Sequence, residues 1–190
     1  GPDLAPRARG AERLALGWLE RRSKEELSAY PGIVEMVHGV IAEAFSSAVV
    51  HPGVTTSADV LWWIRQRMED QGLSAWFHPS VRAQRHGVPQ VPSGEVIIPG
   101  DVLHCDVGFH YLGLATDCQQ LAYVLKPNES DAPDGLKAAL KAGNDLQDIL
   151  ASSMTLGKTG NQILADALAK MKAAGIDGCI YTHPLGYHGH

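Results

Sequence analysis

The stretch that decides the fold is PGDVLHCDVGFHYLGLATDC, which occupies residues 99–118. Its first three residues, Pro-Gly-Asp, are typical of a turn. The apolar run that follows predicts a strand over residues 102–107, and residues 114–125 are expected to form the returning strand. Residues 109–113 then form a loop or a hairpin connection, so we expect the two strands to face each other.

Asp106 and Asp117 stand in these otherwise apolar strands. A buried carboxylate is costly unless it is paired, hydrogen-bonded or bound to a cation. A hairpin can bring both onto one face, where they would repel each other and share a proton unless a divalent ion lies between them. Neither strand carries a Lys or Arg placed to neutralise them, the nearest being Lys126. Two aspartates that cap turns or lie at strand edges are the structural alternative.

Three histidines lie close together in YTHPLGYHGH, residues 181–190. Imidazole is the commonest protein ligand for borderline divalent metals. The glycines and the proline beside His183, His188 and His190 indicate a rigid loop of small residues. A functional cluster, ordinary structural histidines and a fragment of a histidine-rich tail all remain open at this point.

The pattern around this centre predicts helices and short strands. Helices are expected over residues 11–28, 33–50, 57–70, 133–152 and 160–174, and short strands over residues 75–81, 95–98 and 178–182. Pro31 and Gly32 are expected to separate the first two helices. Thr55 or Thr56 is a suitable N-cap for the third.

The order of these elements occurs twice. Gly53-Val54-Thr55 and Gly157-Lys158-Thr159 each precede a helix that is followed by a glycine and a strand. This predicts two structurally similar halves, over residues 33–82 and 134–182. The alternative is that Gly-x-Thr is a common way to end one helix and begin another.

Composition limits the function classes. A chain of 190 residues with 45% hydrophobic and 19% charged residues is expected to form one domain, after a linker or disordered lead over residues 1–10. Its net charge of −5 argues against a nucleic-acid partner, and no apolar run approaches the length of a membrane span. Three cysteines without CxxC spacing indicate reduced thiols in a cytoplasmic protein.

The order Pro-Gly-Asp-x-x-x-x-Asp-x-Gly, then a second aspartate, then His-x-x-Gly after a helix and a strand, resembles the pita-bread metallopeptidases. That family includes the methionine aminopeptidases, aminopeptidase P and prolidase, and the resemblance over roughly residues 30–190 is nearest the Xaa-Pro branch. It implies an α+β pita-bread fold of two pseudo-symmetric α/β halves. Because no glutamate follows Glu129, residues 11–190 are expected to form a partial catalytic domain without its C-terminal strands and without two glutamate ligands.

The resemblance also implies a metal centre. Asp106, Asp117 and His183 match metal ligands, with Asp117 as the bridging one. They would hold two divalent ions, for which Mn²⁺ suits the mixed carboxylate and imidazole set and Co²⁺ or Zn²⁺ are alternatives. With the remainder of the catalytic domain lacking, metal binding by this chain is expected to be weak and its peptidase activity to be lost.

Four more histidines receive expected roles. By resemblance, His190 contacts the substrate and the tetrahedral intermediate, and His86, in a His-Gly-x-Pro sequence, contacts the substrate amine or departing group. An exposed loop histidine is the alternative for His86. His104 shares strand parity with Asp106, so it is expected behind the metals or against the substrate, as is His188; a plain core histidine is the alternative for His104.

The activity implied is hydrolysis of short peptides after the first residue, with proline in the second position, by a cytoplasmic homodimer. A non-catalytic peptide- or protein-binding module of the same fold is the alternative function. A metal-free hydrolase of the creatinase type does not account for Asp106, Asp117 and His183.

Overall fold

A computed structural model describes residues 5–19 and 21–181, which divide into two compact units at residues 127 and 128. The helices of the first unit are α1 (Glu12–Leu19), α2 (Lys24–Ala44) and α3 (Ser57–Asp70). Its strands are β1 (Ser74–Ala75), β2 (Ser80–Gln84), β3 (Val102–Val107), β4 (Phe109–Tyr111), β5 (Leu114–Ala115) and β6 (Cys118–Tyr123). The second unit has α4 (Asp134–Ser153) and α5 (Gly160–Ala173).

Two antiparallel sheets form the centre of the first unit. One has the order β2-β3-β6, and the other has the order β1-β4-β5. In the first sheet Asp106 pairs with Ser80 on one side and with Gln119 on the other. Since side chains alternate between the faces of a strand, this register places His104 and Asp106 on one face and Cys105 on the other.

The core of the first unit lies on the Cys105 face of the sheet. Cys105 and Leu103 of β3 are buried together with apolar side chains of α2 and α3, such as Val37, Val60 and Ile64. Each such side chain contributes about 1.5–3 kcal/mol by leaving water. Cys105 is therefore a packing thiol facing away from the aspartates, as its parity predicts. Within the described residues, no helix is both long and apolar enough to cross a lipid bilayer.

The predicted helix boundary at Pro31 is wrong. α2 begins after Ser23, whose side chain and Glu26 form a reciprocal capping box, and it continues through Pro31. A proline inside a helix costs about 3 kcal/mol or more because a hydrogen bond is lost. Burial of the next turns, at Ile33 and Val37, offsets that cost. The break occurs earlier, between α1 and Ser23.

Several predicted strands are shorter than expected. Residues 75–81 divide between β1 and β2, and residues 95–98 form only an isolated bridge through Val96 to Thr56. The returning strand is interrupted at Thr116 and Asp117, where the chain leaves one sheet for the other. Residues 178–181 form no strand, and Thr182 lies outside the described residues.

Each of the two units contains a helix that begins at a capping threonine and is followed by a glycine. Thr56 and Thr159 each cap a helix with a capping box, and sixteen positions separate each from a glycine with positive φ, Gly72 and Gly175 (56 to 72, 159 to 175). The cap of the first copy is thus Thr56 rather than Thr55. The superposition of residues 33–82 on 134–182 stays a prediction.

Candidate metal centre

The structure brings Asp106 and Asp117 together. Asp106 is half-buried on β3, and Asp117 is exposed immediately before β6. Burial raises the pKa of Asp106 above its ordinary value, and the neighbouring Asp117 carboxylate raises it further, by repulsion and by a carboxyl–carboxyl contact. The nearby charges of His104 and Arg82 oppose this rise in pKa. Two carboxyl groups held this close favour either a shared proton or a cation.

One oxygen of Asp106 fits a cation. Its Oδ1 is buried and has no hydrogen-bond partner among the described residues, whereas its Oδ2 accepts a long bond of 3.4 Å from Gln119 Nε2. An anionic oxygen without a donor is costly. A hard divalent ion that takes carboxylate oxygens would remove that cost, so the residues present fit the ion that the resemblance implies.

A cation on a third strand that acts on Asp106 cannot be recognised from the two strands that carry the aspartates. Lys126 was expected to be the nearest cation, but Arg82 of β2 lies on the same face as Asp106 and acts on its charge. Arg82 pairs with His104 across the strands. Only the register of a third strand shows this neighbour, and neither of the two strands that carry the aspartates contains it.

Asp117 is positioned by the buried turn that precedes it. The carbonyl of Thr116 accepts a hydrogen bond of 2.8 Å from Trp76 Nε1, and the Thr116 backbone N–H donates to Phe109 O at 3.0 Å. A Cβ on Gly108 would lie 2.7 Å from Trp76 Nε1 and still closer to the Thr116 carbonyl oxygen. Gly108 is therefore required for close approach, which gives the Asp-x-Gly motif its physical meaning.

His104 lies beside the pair and contacts it through another residue. Its Nε2 is 3.0 Å from Gln119 Oε1, and Gln119 in turn contacts Asp106. Among the described residues, no group of three His, Cys, Asp or Glu side chains converges as a metal site. His104 is thus near the pair without joining it as a third ligand in this structure.

The structure does not bring His86 to the aspartates. His86 is exposed in a turn just beyond Gln84, the end of β2 that pairs with Val102. Asp106 pairs with Ser80, at the opposite end of β2 and roughly 13 Å away along the strand. His183, His188 and His190 lie outside the described residues, so their roles stay predictions, as does that of His86.

A buried ion pair fixes the segment between β2 and β3. Asp101 is fully buried and accepts two hydrogen bonds from Arg85, from Nε at 2.8 Å and from Nη2 at 2.9 Å. Arg85 Nη2 also donates to Val96 O, and Ile98 N–H donates to Asp101. The sequence places Asp101 in a turn but does not indicate its partner, because the two residues are sixteen positions apart.

One comparison identifies the family of this chain, and another identifies its fold. Residues 33–190 match the model of metallopeptidase family M24. Among solved structures, a prolidase from Thermococcus sibiricus is similar at 19% identity and a TM-score of 0.65. An X-Pro aminopeptidase from Thermotoga maritima is similar at 15% identity and 0.66, and an Xaa-Pro dipeptidase from Bacillus anthracis at 20% and 0.59. No curated protein sequence matches the chain.

These similarities cover most of this chain and less than half of the others. The similarity to the prolidase covers 88% of this chain and 44% of the prolidase. The corresponding shares are 86% and 45% for the aminopeptidase, and 86% and 44% for the dipeptidase. The fold is accordingly a mixed α/β, partial pita-bread fold.

Proposed function

This chain belongs to metallopeptidase family M24, and on that premise we propose that it carries part of a dinuclear metal site that removes the first residue of short peptides. The observation that carries the proposal is the contact between Asp106 and Asp117 beside a buried Asp106 oxygen without a hydrogen-bond partner among the described residues. Asp106, Asp117 and His183 would hold the ions, and His190 would contact the substrate carbonyl.

The residues of this chain act in distinct ways. When bound, divalent ions supply Lewis acidity for the scissile carbonyl and favour a nucleophilic water. Asp106 and Asp117 offer the negative charge that such ions need. Gly108 and Trp76 fix the backbone ahead of Asp117. Three ligands leave two ions under-coordinated, so we propose that further carboxylates and the general base come from the remainder of the catalytic domain.

The substrate class, metal and setting are also parts of the proposal. The solved structures that the chain resembles are named prolidase, X-Pro aminopeptidase and Xaa-Pro dipeptidase, and these names support a peptide with proline in second position as the proposed substrate. Mn²⁺ suits the ligand set, with Co²⁺ or Zn²⁺ as alternatives. Cys105, Cys118 and Cys179 are free thiols, which supports a reducing, cytoplasmic compartment, and we propose a homodimer there.

The test is a peptidase assay with Mn²⁺, on this chain and on a version extended past His190. The extended protein is expected to cleave an Xaa-Pro dipeptide faster than the matched Xaa-Ala dipeptide and to lose activity with a chelator. Asp106→Asn and Asp117→Asn are expected to lose at least about 10³-fold, while the exposed Asp148→Asn control keeps full activity. Turnover that survives both substitutions contradicts the proposal, and peptide binding without turnover supports the binding module instead.

A further inference from the structure

We infer that His104 and Gln119 are positioning residues that hold the Asp106 carboxylate in one orientation for the ion. This inference rests on the proposed function and concerns the same site. Its basis is a continuous contact from His104 through Gln119 to Asp106, made by side chains from two adjacent strands.

The register of the sheet creates this contact. His104 and Asp106 are two positions apart on β3, so both side chains leave the same face. Gln119 is the partner of Asp106 on β6, and its side chain reaches along the face to both. Its Oε1 lies 3.0 Å from His104 Nε2, and its Nε2 lies 3.4 Å from Asp106 Oδ2.

The chemistry of the three groups gives the contact a direction. The Asp106 carboxylate that would bind an ion is ionised and only accepts hydrogen bonds, so the amide NH₂ of Gln119 faces Asp106. The amide oxygen is then left for His104, whose Nε2 must carry a hydrogen and donate. His104 thus orients the amide, and the amide orients the carboxylate.

The consequence concerns which oxygen of Asp106 is available. Oδ2 is occupied by Gln119, while the buried Oδ1 has no partner among the described residues and is left for a cation. A partial rotation of the carboxyl group would turn Oδ1 away from the position of the cation and break the Gln119 bond. Because Gln119 is exposed, water competes for that bond. Outer contacts of this kind typically alter metal affinity by about 10–100-fold, and we expect the lower end.

Two readouts test the inference on this chain, one without metal and one with Mn²⁺ alone. In long-range ¹H–¹⁵N spectra of the metal-free chain, His104 is expected to carry its hydrogen on Nε2, and Gln119→Leu is expected to remove that preference. In Mn²⁺ titrations, Gln119→Leu is expected to weaken binding by about 10-fold. Gln120→Leu is the matched control, because Gln120 pairs with Cys105 and lies on the other face; it is expected to change neither readout.

A double-mutant cycle tests whether His104 affects Mn²⁺ binding through Gln119 or independently of it. If His104 acts through Gln119, then His104→Leu combined with Gln119→Leu binds Mn²⁺ no more weakly than Gln119→Leu alone. Strictly additive losses contradict the inference, as does a Gln119→Leu variant that binds Mn²⁺ like the parent. A parent chain that binds no Mn²⁺ contradicts the proposed function, and with it the positioning role of His104 and Gln119. If the parent binds Mn²⁺ and Gln119→Leu leaves that binding unchanged, only this inference is contradicted.

Discussion

Gly108 is the residue at which a single added methyl group would disturb the site most. A Cβ there meets the Thr116 carbonyl and the indole of Trp76, which together hold the backbone before Asp117. Gly108→Ala is therefore expected to destabilise the chain by about 1–3 kcal/mol through overpacking and to weaken Mn²⁺ binding. Urea denaturation and a Mn²⁺ titration measure the two effects.

The matched control for that substitution is Gly39→Ala. Gly39 is an exposed residue of α2. Outside its own helix backbone, no atom lies within 4 Å of the position that a Cβ would take there. Alanine there is expected to stabilise the chain by up to about 1 kcal/mol and to leave Mn²⁺ binding unchanged. Equal stability of Gly108→Ala and the parent would contradict the close approach described here.

Asp101 gives stability a predictable pH dependence. Burial acts to raise the pKa of this carboxyl, but hydrogen bonds from Arg85 and from Ile98 N–H hold the pKa below its ordinary value. The stabilisation is therefore full above about pH 4, the unfolded value, and is lost as pH falls through the lower folded pKa. Asp101→Asn is expected to lower the melting temperature clearly at about pH 6, with a difference from the parent that shrinks below about pH 4.

Arg85→Gln provides the contrasting variant. It leaves Asp101 buried without its cation, a situation that raises the pKa of a carboxyl. The melting temperature of this variant relative to the parent is expected to recover as pH falls, because protonation then removes the uncompensated charge. If the melting temperatures of Arg85→Gln and the parent differ by the same amount at about pH 6 and below about pH 4, the stabilising role given to the Arg85–Asp101 ion pair is contradicted.

At the scale of elements, the sequence predicted β3 well and the strand after it poorly. The apolar run over residues 102–107 coincides with β3. A turn marks where this strand begins, and apolar side chains at alternate positions are typical of a strand. The interruption at Thr116 depends on bonds to Phe109 and Trp76, which lie in other elements. Local patterns carry no information on such partners, and the same applies to Arg82 beside Asp106.

The indole of Trp76 connects these elements, and its removal is a test at this scale. Trp76→Phe keeps an aromatic ring but leaves the buried Thr116 carbonyl without its donor. A loss of about 1–3 kcal/mol in the free energy of unfolding is expected. Trp62→Phe is the control, since Trp62 is 62% exposed, and a change within about 0.5 kcal/mol is expected there. Equal losses in both variants would contradict the role given to the indole.

At the scale of the whole chain, the family followed from the order of a few residues. Pro-Gly-Asp, the two aspartates and the final histidine motif were enough, because their types and spacing reflect chemistry that few folds share. The match over residues 33–190 agrees with that inference. The finer site was less accessible: the substrate contact expected of His86 stays a prediction, and its turn lies just beyond the end of β2 that pairs with Val102.

The central claim is that Asp106 and Asp117 together bind a divalent ion, and a Mn²⁺ titration by calorimetry tests it most directly. The parent chain and Asp148→Asn are expected to bind Mn²⁺ alike and weakly, since three ligands serve a site for two ions. Asp106→Asn and Asp117→Asn are each expected to abolish measurable binding. Binding in either of these variants that equals the parent's, or no binding in the parent, would contradict the account.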